Sequence, residues 1–155
     1  MEKTIREYVE SHNVCTIALS DGNSPNAHTV YYVSQGLNLY FESDPGSQKI
    51  HILKSNPKIS VTINEDYRDW RKIKGIQLFG KAYLSDEKHA PSLQKLFLKK
   101  FPNLNEMGGI PEHHIFVEVV PEKIYFLDFE KNFGNKSVYY PNEKVSRVRW
   151  NDIGK

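Results

Sequence analysis

The 155-residue sequence contains one cysteine, Cys15, which excludes an internal disulfide and any cysteine-based zinc knuckle. Cys15 lies in the apolar segment VCTIAL, the setting of a buried thiol in a reducing compartment and not that of an activated nucleophile. No apolar run approaches the roughly 20 residues that a bilayer-spanning helix needs, and the amino-terminal segment MEKTIREYVESHN mixes charges throughout. The expectation is a cytoplasmic protein with no membrane partner. An excess of one charge is missing too: 21 Lys and Arg face 19 Asp and Glu, for a formal net charge of +2. The basic residues are dispersed among acidic ones, which argues against a dedicated nucleic-acid partner. Walker and zinc motifs are absent. Of the six histidines only His113 and His114 adjoin. Read as the start of a strand His114 to Val120, they point to opposite faces, and the spacing predicts no metal site.

At 39% hydrophobic content, the chain suits one domain over residues 1–155 with a single core over about 14–129 and a tail from 130 to 155. Ile5, Tyr8 and Val9 give the opening segment a helical stripe. Val14 to Leu19, Asn26 to Val33 and Leu37 to Glu42 follow as strands, separated by Asp21-Gly22 and Ser34-Gln35-Gly36 turns. Further strands are expected over Lys58 to Asn64, Ile73 to Leu84, His114 to Val120 and Lys123 to Phe129, the last two flanking Pro121-Glu122. Gly75 and Gly80 within the long segment suggest bulges or bends. Asp86 to Phe101 reads as the longest helix, with Leu93, Leu96 and Phe97 on one face. Antiparallel strands joined by short turns, with helices as covers, predict a mainly β, six- to seven-stranded small barrel.

The stretch ESDPGSQKIHILKSNPKISV, Glu42 to Val61, carries the most chemistry. Asp44-Pro45-Gly46 breaks the preceding strand, Ile50 and Leu53 share a helical face, and Asn56-Pro57 stops that helix. Ser47 therefore opens a helix. The first turn of a helix has unpaired N–H groups and a partial positive charge, which favour an anion such as phosphate; Ser47 offers a hydroxyl and Lys49 a charge. An ordinary serine cap followed by a solvated lysine accounts for the same residues. Trp70, set among Asp66, Arg68, Asp69 and Arg71, is an aromatic ring in a polar loop, a common lid for a pocket or interface.

The order of elements, with PNAHTVYY, LYFESDPGSQKIHILKSNPKISV and KGIQLFGKAYLSD, resembles the FMN-binding split-barrel superfamily that includes pyridoxamine 5'-phosphate oxidase. It is most similar to a bacterial branch without an established reaction. The resemblance runs from about Val14 to Leu84 and implies an antiparallel split β-barrel with FMN as cofactor. It places Ser47 and Lys49 at phosphate-binding positions, with Gln48 where the oxidases have an arginine, and His28 at the position of another phosphate-contacting arginine. Thr29, Val30 and Tyr31 match a strand whose backbone lines the flavin ring. Glu42 or Ser43 occupies the end of the aromatic strand, and which of the two faces the ligand depends on a one-residue insertion. Gln77 suits a hydrogen bond to the flavin, although a direct alignment puts the family glutamine at Gly75. Val33 replaces a substrate-holding lysine, and SRVRW lacks the family's Arg-x-His, so pyridoxamine phosphate oxidation itself is not expected. The resemblance further implies a homodimer with FMN at the interface. Trp70 and the tail residues Phe133, Tyr139, Arg147, Arg149 and Trp150 are candidates to cover it. The expected activity is that of an FMN-dependent oxidoreductase acting on a small molecule of unspecified identity. A non-catalytic flavin-binding or storage protein and a haem-binding split barrel are the alternatives.

Overall fold

The structure, a computed structural model, describes residues 1–141. Helix α1 (Glu2–Glu10) precedes strands β1 (Val14–Asp21), β2 (Ser24–Tyr31), β3 (Val33–Gln35) and β4 (Asn38–Ser43). Helix α2 (Gln48–Ser55) leads into β5 (Lys58–Asn64) and β6 (Lys74–Leu84), and helix α3 (Ala90–Lys100) into β7 (Ile115–Asp128) and β8 (Lys136–Tyr139). The sheet runs β2-β1-β5-β6-β7-β4-β3, with β8 added beside β7, and every pair is antiparallel. Its two outer strands, β2 and β3, are separated in sequence by Tyr32 alone. The sheet must therefore curl until its edges meet, which makes a split barrel.

Alternation along the strands sets the barrel's inside. Cys15, Ile17 and Leu19 of β1, Ile59, Val61 and Ile63 of β5, and Ile76 and Leu78 of β6 are all buried in one core, as a period of two requires. Ile50, Ile52 and Leu53 of α2 and Ile5 and Val9 of α1 belong to the same core. Tyr32, also fully buried, donates its hydroxyl proton to the Val9 carbonyl at 2.6 Å and ties α1 to the closing corner. A smaller cluster joins Leu93 and Phe97 of α3 to Val33, Tyr40 and Phe116, with Leu96 packed at its margin.

The strand count differs from the expected six to seven. Residues His114–Phe129 do not form two strands: β7 is one 14-residue strand, because a bulge absorbs the Pro121-Glu122 interruption. Its register against β6 passes from Phe79↔Lys123 to Gly80↔Pro121, leaving Glu122 as the extra residue. Gly80 makes this possible, since a Cβ there would stand 2.1 Å from the Val120 carbonyl oxygen. Asn26–Val33 divides at Tyr32 into β2 and the short β3, and the tail contributes β8. Tyr139 at the end of β8 donates to Glu2 Oε2 at 2.6 Å. The helix expected over 86–101 starts only at Ala90, after a 3-10 turn over Glu87–His89, where Asp86 Oδ1 accepts from the Lys88 amide at 3.0 Å. Arg147, Arg149 and Trp150 lie outside the described residues.

Candidate functional site

The turn between β4 and α2 is built by hydrogen bonds from its own residues. Asp44 Oδ1 accepts from the Gly46 amide at 2.8 Å, and the Asp44 carbonyl accepts from the Ser47 amide at 3.1 Å. Ser47, extended at φ −70° and ψ 156°, caps α2 by accepting from the Ile50 amide. Its hydroxyl lies 2.9 Å from that of Ser43, which is 5% exposed. The His51 amide donates to the Ser47 carbonyl at 3.1 Å. Of the amides in the first turn, those of Gln48 and Lys49 have no acceptor among the described residues, at the positive end of the helix.

His28 completes this corner. In register it stands in a row with Ile17, Val61, Leu78 and Ile124, all four of them buried, so its side chain faces the barrel interior. Its Nε2 is buried with no hydrogen-bond partner among the described residues. Burial, and then the positive charge of Lys49, hold the imidazole below its ordinary pKa. With a proton on Nε2, a ring nitrogen without a partner among the described residues, the ammonium whose charge acts on it and the two amides form a set complementary to an anion.

The other predicted residues divide between two places. Thr29, Thr16, Thr62, Gln77 and Tyr125 are directly opposite one another across five strands and line one outward-facing row. Gln77 thus presents an amide on the same row as Thr29, whereas Gly75 presents nothing. Val30 points inward and is 9% exposed. As β2 is an edge strand among the described residues, alternate backbone groups of Thr29 to Tyr31 have no strand partner there. A cavity of about 820 Å³ opens on the same outward face, lined by Ala18, Ser60, Phe79 and Lys123, with Lys58 and Lys81 beside them. Those lysines carried no sequence signal beyond dispersed charge.

Glu42 and Ser43 face opposite ways. Ser43 joins the turn, while Glu42 and Tyr31 line a cavity of about 260 Å³ walled by Phe97, Phe101, Leu104 and Met107. Trp70, 70% exposed, lies on a 3-10 turn between β5 and β6 and shares neither the turn nor the row. Its neighbours Asp69 and Arg71 pair with each other, Nη2 to Oδ2 at 2.8 Å, as a solvated loop should. Burial pushes the Cys15 thiol up to about 12, which keeps it protonated and unreactive.

One group escaped the sequence reasoning. His113 and His114 do not open a strand, because β7 begins at Ile115 and the His114 amide donates to the Pro111 carbonyl in a turn at 3.0 Å. Their rings meet edge-on with centroids 4.8 Å apart. His113 Nε2 is 3.6 Å from Asp44 Oδ2, and His114 Nδ1 is hydrogen-bonded to Glu42 Oε2. The Gly46 amide, followed by His113, holds the Asp44 carboxyl below its usual pKa. The Gly108-Gly109-Ile110-Pro111 run was the available sign that the loop extends this far.

The family model for pyridoxamine 5'-phosphate oxidase matches residues 1–128, which takes in α1 to the end of β7 and every residue of the turn, the row and the histidine pair. The chain belongs to the pyridoxamine 5'-phosphate oxidase family. Solved structures of this split-barrel type superpose on it. A conserved hypothetical protein from Mycobacterium tuberculosis aligns with a TM-score of 0.74 at 18% identity, covering 94% of this chain and 92% of that one. An FAD-binding protein from Mesorhizobium loti gives 0.65 at 22% identity over 80% and 91%. The haem storage protein HutZ from Vibrio cholerae gives 0.65 at 15% identity over 78% and 89%. At these identities the likeness is one of fold. Comparison with curated protein sequences gives no match. No helix among the described residues is long and apolar enough to cross a membrane.

Proposed function

We propose that this family member binds FMN by its phosphate at the amino terminus of α2 and uses it as an FMN-dependent oxidoreductase acting on a small molecule. The observation that carries the proposal is the buried Nε2 of His28, without a partner among the described residues and within reach of the Lys49 charge, with the Gln48 and Lys49 amides also without acceptors among those residues. These groups, with the Ser47 hydroxyl, would hold the phosphate. The bidentate arginine expected at position 48 is absent, so the phosphate relies on amides, one ammonium and an imidazole. The edge backbone of Thr29 to Tyr31 and the Gln77 amide would orient the ring, which the outward face keeps accessible.

When bound, flavin supplies hydride and electron transfer, and the protein supplies binding, orientation and electrostatics. The chain is proposed to work as a homodimer with FMN at the interface, because the outward face leaves Tyr31 63% and Phe79 40% exposed and a second copy would cover them. Enzyme and carrier separate in one assay: FMN-loaded protein should oxidise a reduced nicotinamide with an added electron acceptor faster than the same concentration of free FMN. Tight FMN binding with no rate above free FMN would make it a carrier. A Soret band in the purified protein in place of a flavin spectrum would make it a haem protein.

A further inference from the structure

We infer that Asp44, His113 and His114 form a binding site for a divalent transition-metal cation of the zinc type, at the mouth of the β4–α2 turn. One donor atom from each of the three residues lies within 4.8 Å of the others, and the His113–Asp44 pair is already at 3.6 Å. Nitrogen and oxygen ligands around a tetrahedral Zn²⁺ are bonded at about 2.0–2.2 Å, which puts them roughly 3.4 Å from one another. The three donors must therefore close by about 1.4 Å at most. Asp44 and His113 can do this by side-chain rotation, as their side chains are 56% and 67% exposed.

Two further features distinguish the cluster from a chance grouping of surface charges. First, the His114 side chain, 20% exposed, is held through Nδ1 by Glu42, so that Nε2 would be its ligating nitrogen. A carboxylate on the second nitrogen of a ligating histidine is the usual orienting device at metal sites. Second, Asp44 is already half-committed: Oδ1 accepts from the Gly46 amide at 2.8 Å, so Oδ2 is the atom presented to the cation. Three protein ligands leave a coordination position open for water or for an anion. The site also answers a question raised by the proposed function, on which this part of the inference rests. A carboxylate at the lip of a phosphate turn opposes the anion there, and a cation on Asp44 would turn that repulsion into a bridge.

The test uses the full chain, freed of metal by chelation and titrated with Co²⁺ alone, without flavin. The expected result is one Co²⁺ per chain with a visible ligand-field spectrum, displaced by Zn²⁺. His113→Ala and His114→Ala should each weaken binding at least about tenfold. Glu42→Gln should weaken it roughly 10- to 100-fold without removing a ligand. His51→Ala, on the exposed side of α2, should leave it unchanged. His113 is exposed, so loss of binding in His113→Ala with an unchanged thermal melt cannot be put down to misfolding. Binding that is absent in the wild type at micromolar Co²⁺, or that survives both histidine substitutions, overturns the inference. Because flavin is left out, failure of the FMN proposal would not affect this result.

Discussion

Substitution of Lys49 by alanine separates a phosphate-binding lysine from a merely solvated one. Lys49 sits in the first turn of α2, and its charge acts on the His28 ring. If that turn holds the FMN phosphate, the substitution removes one charge-assisted hydrogen bond at a partly buried position. Such a bond contributes about 1.5–3 kcal/mol, or roughly a ten- to hundredfold rise in dissociation constant. The cost to the fold should not exceed about 0.5 kcal/mol, since no core contact is lost. Quenching of flavin fluorescence gives both affinities needed: FMN, and riboflavin, which has the ring and ribityl chain without the phosphate. Lys49→Ala should weaken FMN by the stated factor and leave riboflavin nearly unchanged. A proton-NMR titration of the variant should also show the His28 pKa moving up, because one cause of its depression has gone. Equal losses for both ligands would refute a phosphate role for Lys49.

Three other outcomes follow from the same structure. Gly80→Ala should destabilise the chain by about 2–4 kcal/mol in denaturant melts, because its Cβ would meet the Val120 carbonyl oxygen at 2.1 Å; an unchanged midpoint would mean that the β6–β7 bulge relaxes freely. Since the folded chain holds the His28 pKa down, the unfolded state binds the proton first as pH falls. Stability should therefore be complete above the ordinary imidazole value of about 6.5 and decline below it until the folded pKa is reached; His28→Gln should remove that part of the slope, measured between about pH 7.5 and pH 5.5. Sedimentation at micromolar concentration should show a dimer, and a monomer that still binds FMN tightly would contradict a shared interface site.

Much of the barrel was legible because its signals are local. The alternation in VCTIAL and KISVTIN, the Asp21-Gly22 turn with φ 62° at Gly22, and the Ser47 cap of α2 each depend on neighbours in sequence. The long strand β7 was not, because Pro121 reads as a break unless one knows that Gly80 of β6 lies opposite and lets a bulge take up the irregularity. The same distinction holds at the site. Ser47 and Lys49 were visible as a helix start, and the resemblance to FMN-binding split barrels pointed to His28. That His28 faces inward while Thr29 and Gln77 share an outward row is a matter of register, which only strand pairing supplies. The histidine pair turns on the same point: moving the start of β7 from His114 to Ile115 takes both residues out of the strand and leaves one donor atom of each within 4.8 Å of an Asp44 carboxylate oxygen.

The visible spectrum of the purified protein, followed by chromatography of whatever denaturation releases, tests FMN binding most directly. The expected result is a yellow protein, as isolated or after incubation with FMN, that releases FMN on denaturation. Failure to take up FMN, FAD or riboflavin at micromolar concentrations would contradict it.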